Sequence, residues 1–200
     1  MNTHAGKLAV AAILALCLCA GGCSKKPEEA GGQKSLRLSS GDTLAFGAAA
    51  SGWEASGFGV TYAITKRSDG YQFASPAGTL TARTKDSKTK LYGPDGALRL
   101  KIKRDDDKIK VLRAEEDPQA WSIRLKGGGS AYKVKRGEKT LGKAKFYPDQ
   151  KHIKAKDDTG AVLGRMSADS PSAAPAIAFM SELRGEDRLA LFALFMLLGW

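Results

Sequence analysis

The sequence predicts a mainly β protein, an antiparallel meander closed into a barrel of about ten to twelve strands around a hydrophobic C-terminal helix. Three observations carry that expectation. Short runs in the middle of the chain alternate between apolar and basic residues. Turn-forming residues separate those runs at short intervals. The chain, 26% charged overall, ends on "RLALFALFMLLGW", which is uncharged from Leu189 to Trp200.

The first element is a leader. "MNTHAGKLAVAAILALCLCAGGC" has one lysine, Lys7, then an apolar run from Leu8 to Leu18, then small residues up to Cys23. The run is too short for a membrane helix and sits where a signal peptide carries its apolar region. Its ending, Ala20-Gly21-Gly22-Cys23, resembles a bacterial lipobox, with alanine where leucine is usual. That resemblance implies cleavage before Cys23, acylation of its thiol and a lipid-anchored protein of the bacterial envelope. Ser24 after the cysteine implies the outer membrane. The competing reading is an ordinary secretory signal cut near Ala20. All three cysteines (Cys17, Cys19, Cys23) lie in this segment, so the rest of the chain holds no disulfide, thiol nucleophile or thiolate metal site. Residues 1–22 therefore read as a lipoprotein signal. Residues 23–35, "CSKKPEEAGGQKS", read as the lipidated cysteine and a flexible tether reaching roughly 20 Å.

Residues 36–200 read as one barrel domain, long enough for a core without staples. "FGAAASGWEASGFGV" (46–60) is small and Gly-rich, and reads as a loop anchored by Trp53 and Phe58. Alternation then takes over. Leu98, Leu100 and Ile102 oppose Arg99, Lys101 and Lys103. Ile109 and Val111 oppose Lys108 and Lys110. Ile123 and Leu125 oppose Arg124 and Lys126. Tyr132 and Val134 oppose Lys133 and Lys135, and Ile153 and Ala155 oppose His152, Lys154 and Lys156. Period two marks half-buried strands, because side chains alternate across a pleated sheet. "SDG" (68–70), "SPAG" (75–78), "GPDG" (93–96), "RDDD" (104–107), "GGG" (127–129), "PDQ" (148–150) and "DDTG" (157–160) supply the turns. "YKVKRGEKTLGK" (132–143) and "IKAKDDTGAVLGR" (153–165) share strand, turn and a Leu-Gly-basic triplet, as hairpins of one sheet can. "PAIAFMSEL" (175–183) reads as a short helix. Leu189–Trp200 would make a helix of roughly 18 Å, short of a bilayer core. Apolar all round, it must be buried on all sides, and the axis of a barrel offers that place. The helix is expected over about 187–199, with Glu186 and Asp187 at its dipole-favoured start.

This combination resembles the superfamily of phospholipid scramblase, LURP-one-related and tubby C-terminal domains. The resemblant stretches are "EDRLALFALFMLL" (186–198), "GEKTLGKAKF" (137–146) and "DDTGAVLGRM" (157–166), in a match spanning about residues 35–200. It implies a twelve-stranded antiparallel barrel around a C-terminal helix. It transfers no binding residue.

Chemical motifs are sparse. "DDTGA" contains the Asp-Thr-Gly of aspartic proteases, but that chemistry needs two such aspartates sharing a proton, and only one copy exists. "GEKT" (137–140) lacks the spacing of a phosphate loop. "DDD" (105–107) and "EED" (115–117) lack the ligand spacing of a calcium loop. His152 has no partner for a triad or a metal site. The reading is of a non-enzymatic protein with no cofactor and no metal.

Charge is the remaining signal. Residues 81–156 hold 22 basic and 10 acidic side chains, net +12, and so supply the whole excess of a chain at +11. Arg99, Lys101, Lys103, Lys108, Lys110, Lys133, Lys135, Lys143 and Lys145 are the candidate polyanion-binding residues. The expected partner is a membrane, reached through the lipid anchor, with anionic phospholipid or lipopolysaccharide phosphates on the basic wall. Extracellular DNA is a further polyanion, but sequence-specific nucleic-acid reading is not expected, because the basic strands carry few aromatics. Three alternatives stay open: a merely solvated basic face, a structural envelope lipoprotein with a protein partner, and an enzyme with an unrecognised site.

Overall fold

A computed structural model describes residues 32–114, 119–126 and 128–200. The expected leader, Cys23 and most of the expected tether lie outside the described residues, as does "EED" at 115–117.

Fourteen strands are present among the described residues. They run β1 (Lys34–Leu38), β2 (Thr43–Ala49), β3 (Gly52–Gly57), β4 (Val60–Arg67), β5 (Gly70–Ser75), β6 (Gly78–Lys85) and β7 (Lys88–Tyr92). They continue as β8 (Leu98–Asp105), β9 (Lys108–Arg113), β10 (Trp121–Lys126), β11 (Ala131–Arg136), β12 (Lys139–Tyr147), β13 (His152–Asp157) and β14 (Val162–Ser167). Each pairs antiparallel with its sequence neighbours, and β1 pairs with β14, Leu36 opposite Met166, so the meander closes into a barrel. A closed barrel leaves no unpaired edge. After it come a 3-10 segment, Ala174–Phe179, and α1, Gly185–Leu197.

The strand count exceeds the expected ten to twelve because the stretch read as a tether end and a loop is also strand. The barrel begins at Lys34, inside the expected 23–35 tether. "FGAAASGWEASG" supplies most of β2 and the whole of β3. Alanine and glycine have weak strand preference, and pairing on both sides overrides it. Phe46 lies opposite Ala55, and both are buried. Trp53 and Phe58 are half-buried and pack on the core.

Closure explains the greasy chain end. Leu189 to Phe195 are seven consecutive residues at 0% exposure, which no helix lying on a surface achieves. The inward side chains of the wall, among them Leu36, Ile64, Phe73, Leu100, Trp121 and Val134, form one cluster with them. The helix therefore fills the barrel. It lies closest to β2 and β3 among the strands. To the core β3 turns Ala55 and β2 turns Leu44 and Phe46, and a Cβ on Gly185 would stand 2.7 Å from Phe58 Cβ in the β3–β4 turn. The missing Cβ of Gly185 lets the start of the helix approach Phe58.

Three bulges shape the rest. In each, one residue has no partner across the ladder: Arg99 between β7 and β8, Leu141 between β11 and β12, Leu163 between β13 and β14. The last two are the leucines of the repeated Leu-Gly-basic triplet. Their glycines, Gly142 and Gly164, face inward and leave room for the 3-10 segment. A Cβ on Gly142, whose φ is +148°, would collide with the Lys156 carbonyl and stand 2.7 Å from Phe179. One on Gly164 would meet Ala178 at 3.3 Å.

Candidate functional site

The register decides which basic side chains are neighbours, which alternation alone leaves open. Across β8 to β13, Asp105, Lys108, Arg124, Lys133, Lys143 and Lys156 lie directly opposite one another in succession. The next outward row towards one barrel end is Lys88, Lys103, Lys110, Ser122, Lys135 and Thr140. The row on the other side is Lys126, Ala131, Lys145, Lys154, Arg165 and Arg37, ending on β1. Neighbouring strands are about 4.8 Å apart. Like charges directly opposite destabilise a sheet, so this arrangement carries a standing repulsion that a bound polyanion would relieve.

Eight of the nine candidates stand on this wall. Lys101, Lys103, Lys143 and Lys145 are exposed, while Lys108, Lys110, Lys133 and Lys135 are half-buried beside their neighbours. Arg99 does not belong with them. As the unmatched residue of the β8 bulge it turns to the barrel end, where its side chain is 13% exposed. Its Nη1 donates to Asp187 at 3.1 Å and Glu186 at 3.2 Å, in the first turn of α1. Arg184 Nε donates to the other Asp187 oxygen at 3.1 Å. Burial lowers the Arg99 guanidinium pKa, and the Asp187 and Glu186 contacts more than reverse that, so Arg99 stays charged. The bulge also takes Leu98 off the core row, since it pairs with Tyr92 and is only half-buried.

The structure adds residues outside the candidate set. Arg124, Lys126, Lys154 and Lys156 join through the same period-two alternation, which was enough to find them. Lys88, Arg165 and Arg37 join only through register, Arg165 through the β13–β14 hairpin and Arg37 through the β14–β1 closure. Two adjoining depressions cover this face. One, of about 700 Å³, is lined by Lys126, Lys133, Lys143, Lys145, Lys156 and Tyr147 among others. The other, of about 360 Å³, shares Lys126 and Lys133 and adds Lys108, Arg124 and Lys135. The Lys145 and Lys154 ammonium groups stand 5.3 and 5.0 Å from the Tyr147 ring centre.

Acids touch the wall at its turns. Asp105 accepts from Lys103 at 3.0 Å, which holds its carboxyl below the usual range. Asp107 pairs with Arg124 at 3.4 Å. Asp157 of "DDTG" accepts from the Thr159 hydroxyl at 2.8 Å and from the backbone N–H groups of Thr159 and Ala161, and is likewise held low. It is a hairpin-turn residue between β13 and β14. His152 Nδ1 lies 3.2 Å from the Gln150 carbonyl, its ring 5.4 Å from that of Tyr147. No group of three or more potential metal ligands occurs among the described residues. No helix among them is long and apolar enough to cross a membrane. Chemically the face can do one thing well: place several ammonium groups at strand spacing against a surface of phosphates or carboxylates.

Comparison with protein-family models, with curated proteins and with solved structures finds no match.

Proposed function

We propose that this chain is a lipid-anchored protein of the bacterial envelope whose basic barrel wall binds an anionic membrane surface, and that it performs no catalysis. One observation carries the reading: Lys108, Arg124, Lys133, Lys143 and Lys156 form an unbroken cationic row over five adjacent strands. A lysine or arginine near an anionic surface contributes about 1 kcal/mol. One such row therefore supplies roughly 5 kcal/mol, enough to hold an anchored domain flat on its membrane. Outward positions of β8 to β14 carry lysine or arginine where a membrane-spanning barrel carries an apolar band, which supports a domain lying on the bilayer over one inside it. The barrel around a C-terminal helix supports a tubby-type architecture in outline, with two more strands than the resemblance implies.

Barrel closure and the whole core fall within Lys34–Trp200, so a protein of residues 24–200 retains the fold. Its sedimentation with vesicles tests the reading. Binding is expected with anionic and not with neutral lipid, and it weakens from low to physiological salt as the screening length falls to about 8 Å. Absence of binding in every condition leaves the wall a solvated face. The anchor is tested separately. Cys23→Ala should give an unlipidated precursor or a soluble form, and unchanged fractionation and gel mobility exclude attachment there.

A further inference from the structure

A second cationic site lies away from the lysine wall. A cavity of about 310 Å³, within the size range of small-ligand pockets, opens where the β1–β2 turn, the two leucine bulges and the 3-10 segment meet. Leu38, Leu141, Leu163, Ala178 and Phe179 make its apolar lining, and Ser39, Ser40 and Ser181 add hydroxyls. Arg188 completes it.

Arg188 is unlike the other arginines at this end of the barrel. Arg99 and Arg184 are paired with Asp187. Among the described residues, no carboxylate lies within ion-pair distance of Arg188. Its Nη2 donates a long bond, 3.4 Å, to the Ile177 carbonyl, and its guanidinium covers the Phe58 ring at 4.6 Å. Its Nε is buried and has no hydrogen-bond partner. The acid whose charge acts on it is Asp42, whose carboxylate accepts from Ser40 Oγ at 2.8 Å. Burial pushes the guanidinium below the usual arginine range, which Asp42 only partly opposes. A cation in the first turn of a helix is also disfavoured by the helix dipole. A half-buried guanidinium in that position, left without an acid, is a fork of donors awaiting an anion.

We infer that this cavity binds a small amphiphile with one anionic head on an aliphatic chain, the head on Arg188 and the chain along Leu38, Leu141, Leu163, Ala178 and Phe179. The bulges that expel Leu141 and Leu163 from their ladders are what build the chain's side of the site. Carboxylate and phosphate monoester heads share the chemistry, since both accept a bidentate arginine.

The experiment is calorimetric titration of residues 24–200 with octanoate, octyl phosphate and 1-octanol. At least one of the two anions is expected to bind at one per chain, with octanol at least tenfold weaker. Arg188→Gln should lower the anion affinity at least tenfold. Ser181→Trp, at an exposed rim position, should block binding without touching the core, and it decides the matter if Arg188→Gln does not melt cooperatively. Lys133→Glu, on the wall, should leave anion affinity unchanged. Equal binding of octanol, failure of both anions to bind, unimpaired binding to Ser181→Trp, or equal loss in Lys133→Glu overturns the inference. The last outcome would assign the anions to the wall instead.

Discussion

The two sides of this barrel share a core and differ in what they show to solvent and to the helix. Around β2 to β6 an outward row reads Gly47, Glu54, Ala63, Ala74 and Thr79. On β9 to β13 the comparable row reads Lys108, Arg124, Lys133, Lys143 and Lys156. Inside, β3 offers Ala55 as its buried apolar residue where β10 offers Trp121 and Ile123. The helix sits against the small side. The same closed ladder of hydrogen bonds tolerates both compositions, because it uses the backbone and leaves each face free to serve something else. The neutral side lies nearest the helix, through β2 and β3. The lysine side faces solvent with its charges in rows.

The largest expected effect tests whether the two sides share one core. Ending the chain at Arg188 removes Leu189, Leu191, Phe192, Leu194 and Phe195, all at 0% exposure. At about 1.5–3 kcal/mol for each buried side chain this is roughly 8–15 kcal/mol, the size of a domain's whole stability. Calorimetry should show no cooperative melting. A truncated chain that still melts cooperatively would mean the lysine side holds itself together.

The two bulged hairpins give a sharper comparison. Gly142→Ala meets a carbonyl and Phe179 at a positive φ, and should cost about 2–4 kcal/mol. Gly164→Ala has ordinary φ and contacts no closer than 3.2 Å, and should cost less than about 1 kcal/mol. Denaturant midpoints of the two variants rank them. Equal costs would show that the 3-10 segment yields to either.

A pH measurement probes the helix side. Tyr62 is 2% exposed, and burial first, then Glu186 and Asp187, push its phenol to about 12. The native state thus holds the proton more tightly than the unfolded chain, whose phenol titrates near 10. Its contribution is fully present below pH 10 and is lost as pH rises towards 12, by about 2–3 kcal/mol. Stability curves of the native protein and Tyr62→Phe should diverge in that window. Parallel curves would place the alkaline loss elsewhere, for instance on the lysines.

The smallest effect isolates wall repulsion. Lys143 lies between Lys133 and Lys156. Lys143→Gln should raise stability by up to about 0.5 kcal/mol, more at low salt, while weakening binding to anionic vesicles by about 1 kcal/mol, roughly fivefold. Ala63→Lys adds the same charge to the neutral side and should not strengthen binding. If it does, net charge matters and the wall's position does not.

Much of this was readable in the chain. Leu100, Ile102, Ile109, Val111, Ile123 and Val134 face the core as their period-two spacing requires, and Leu189 to Phe195 are buried as an apolar segment too short for a bilayer must be. Each follows from side-chain direction and from the free energy of removing apolar surface from water, both local properties. The tertiary structure alone decided three matters. It made strands of the Gly- and Ala-rich 43–57 stretch, because hydrogen bonds from both neighbours outweigh weak intrinsic preference. It removed Arg99 from the wall, because a bulge depends on the register with β7 and on the acids at the start of α1. It brought Arg37 opposite Arg165 and so onto the end of the Lys154 row, because closure of β1 on β14 joins residues more than a hundred positions apart. Alternation says which side of a strand a residue faces. Only pairing says what stands next to it.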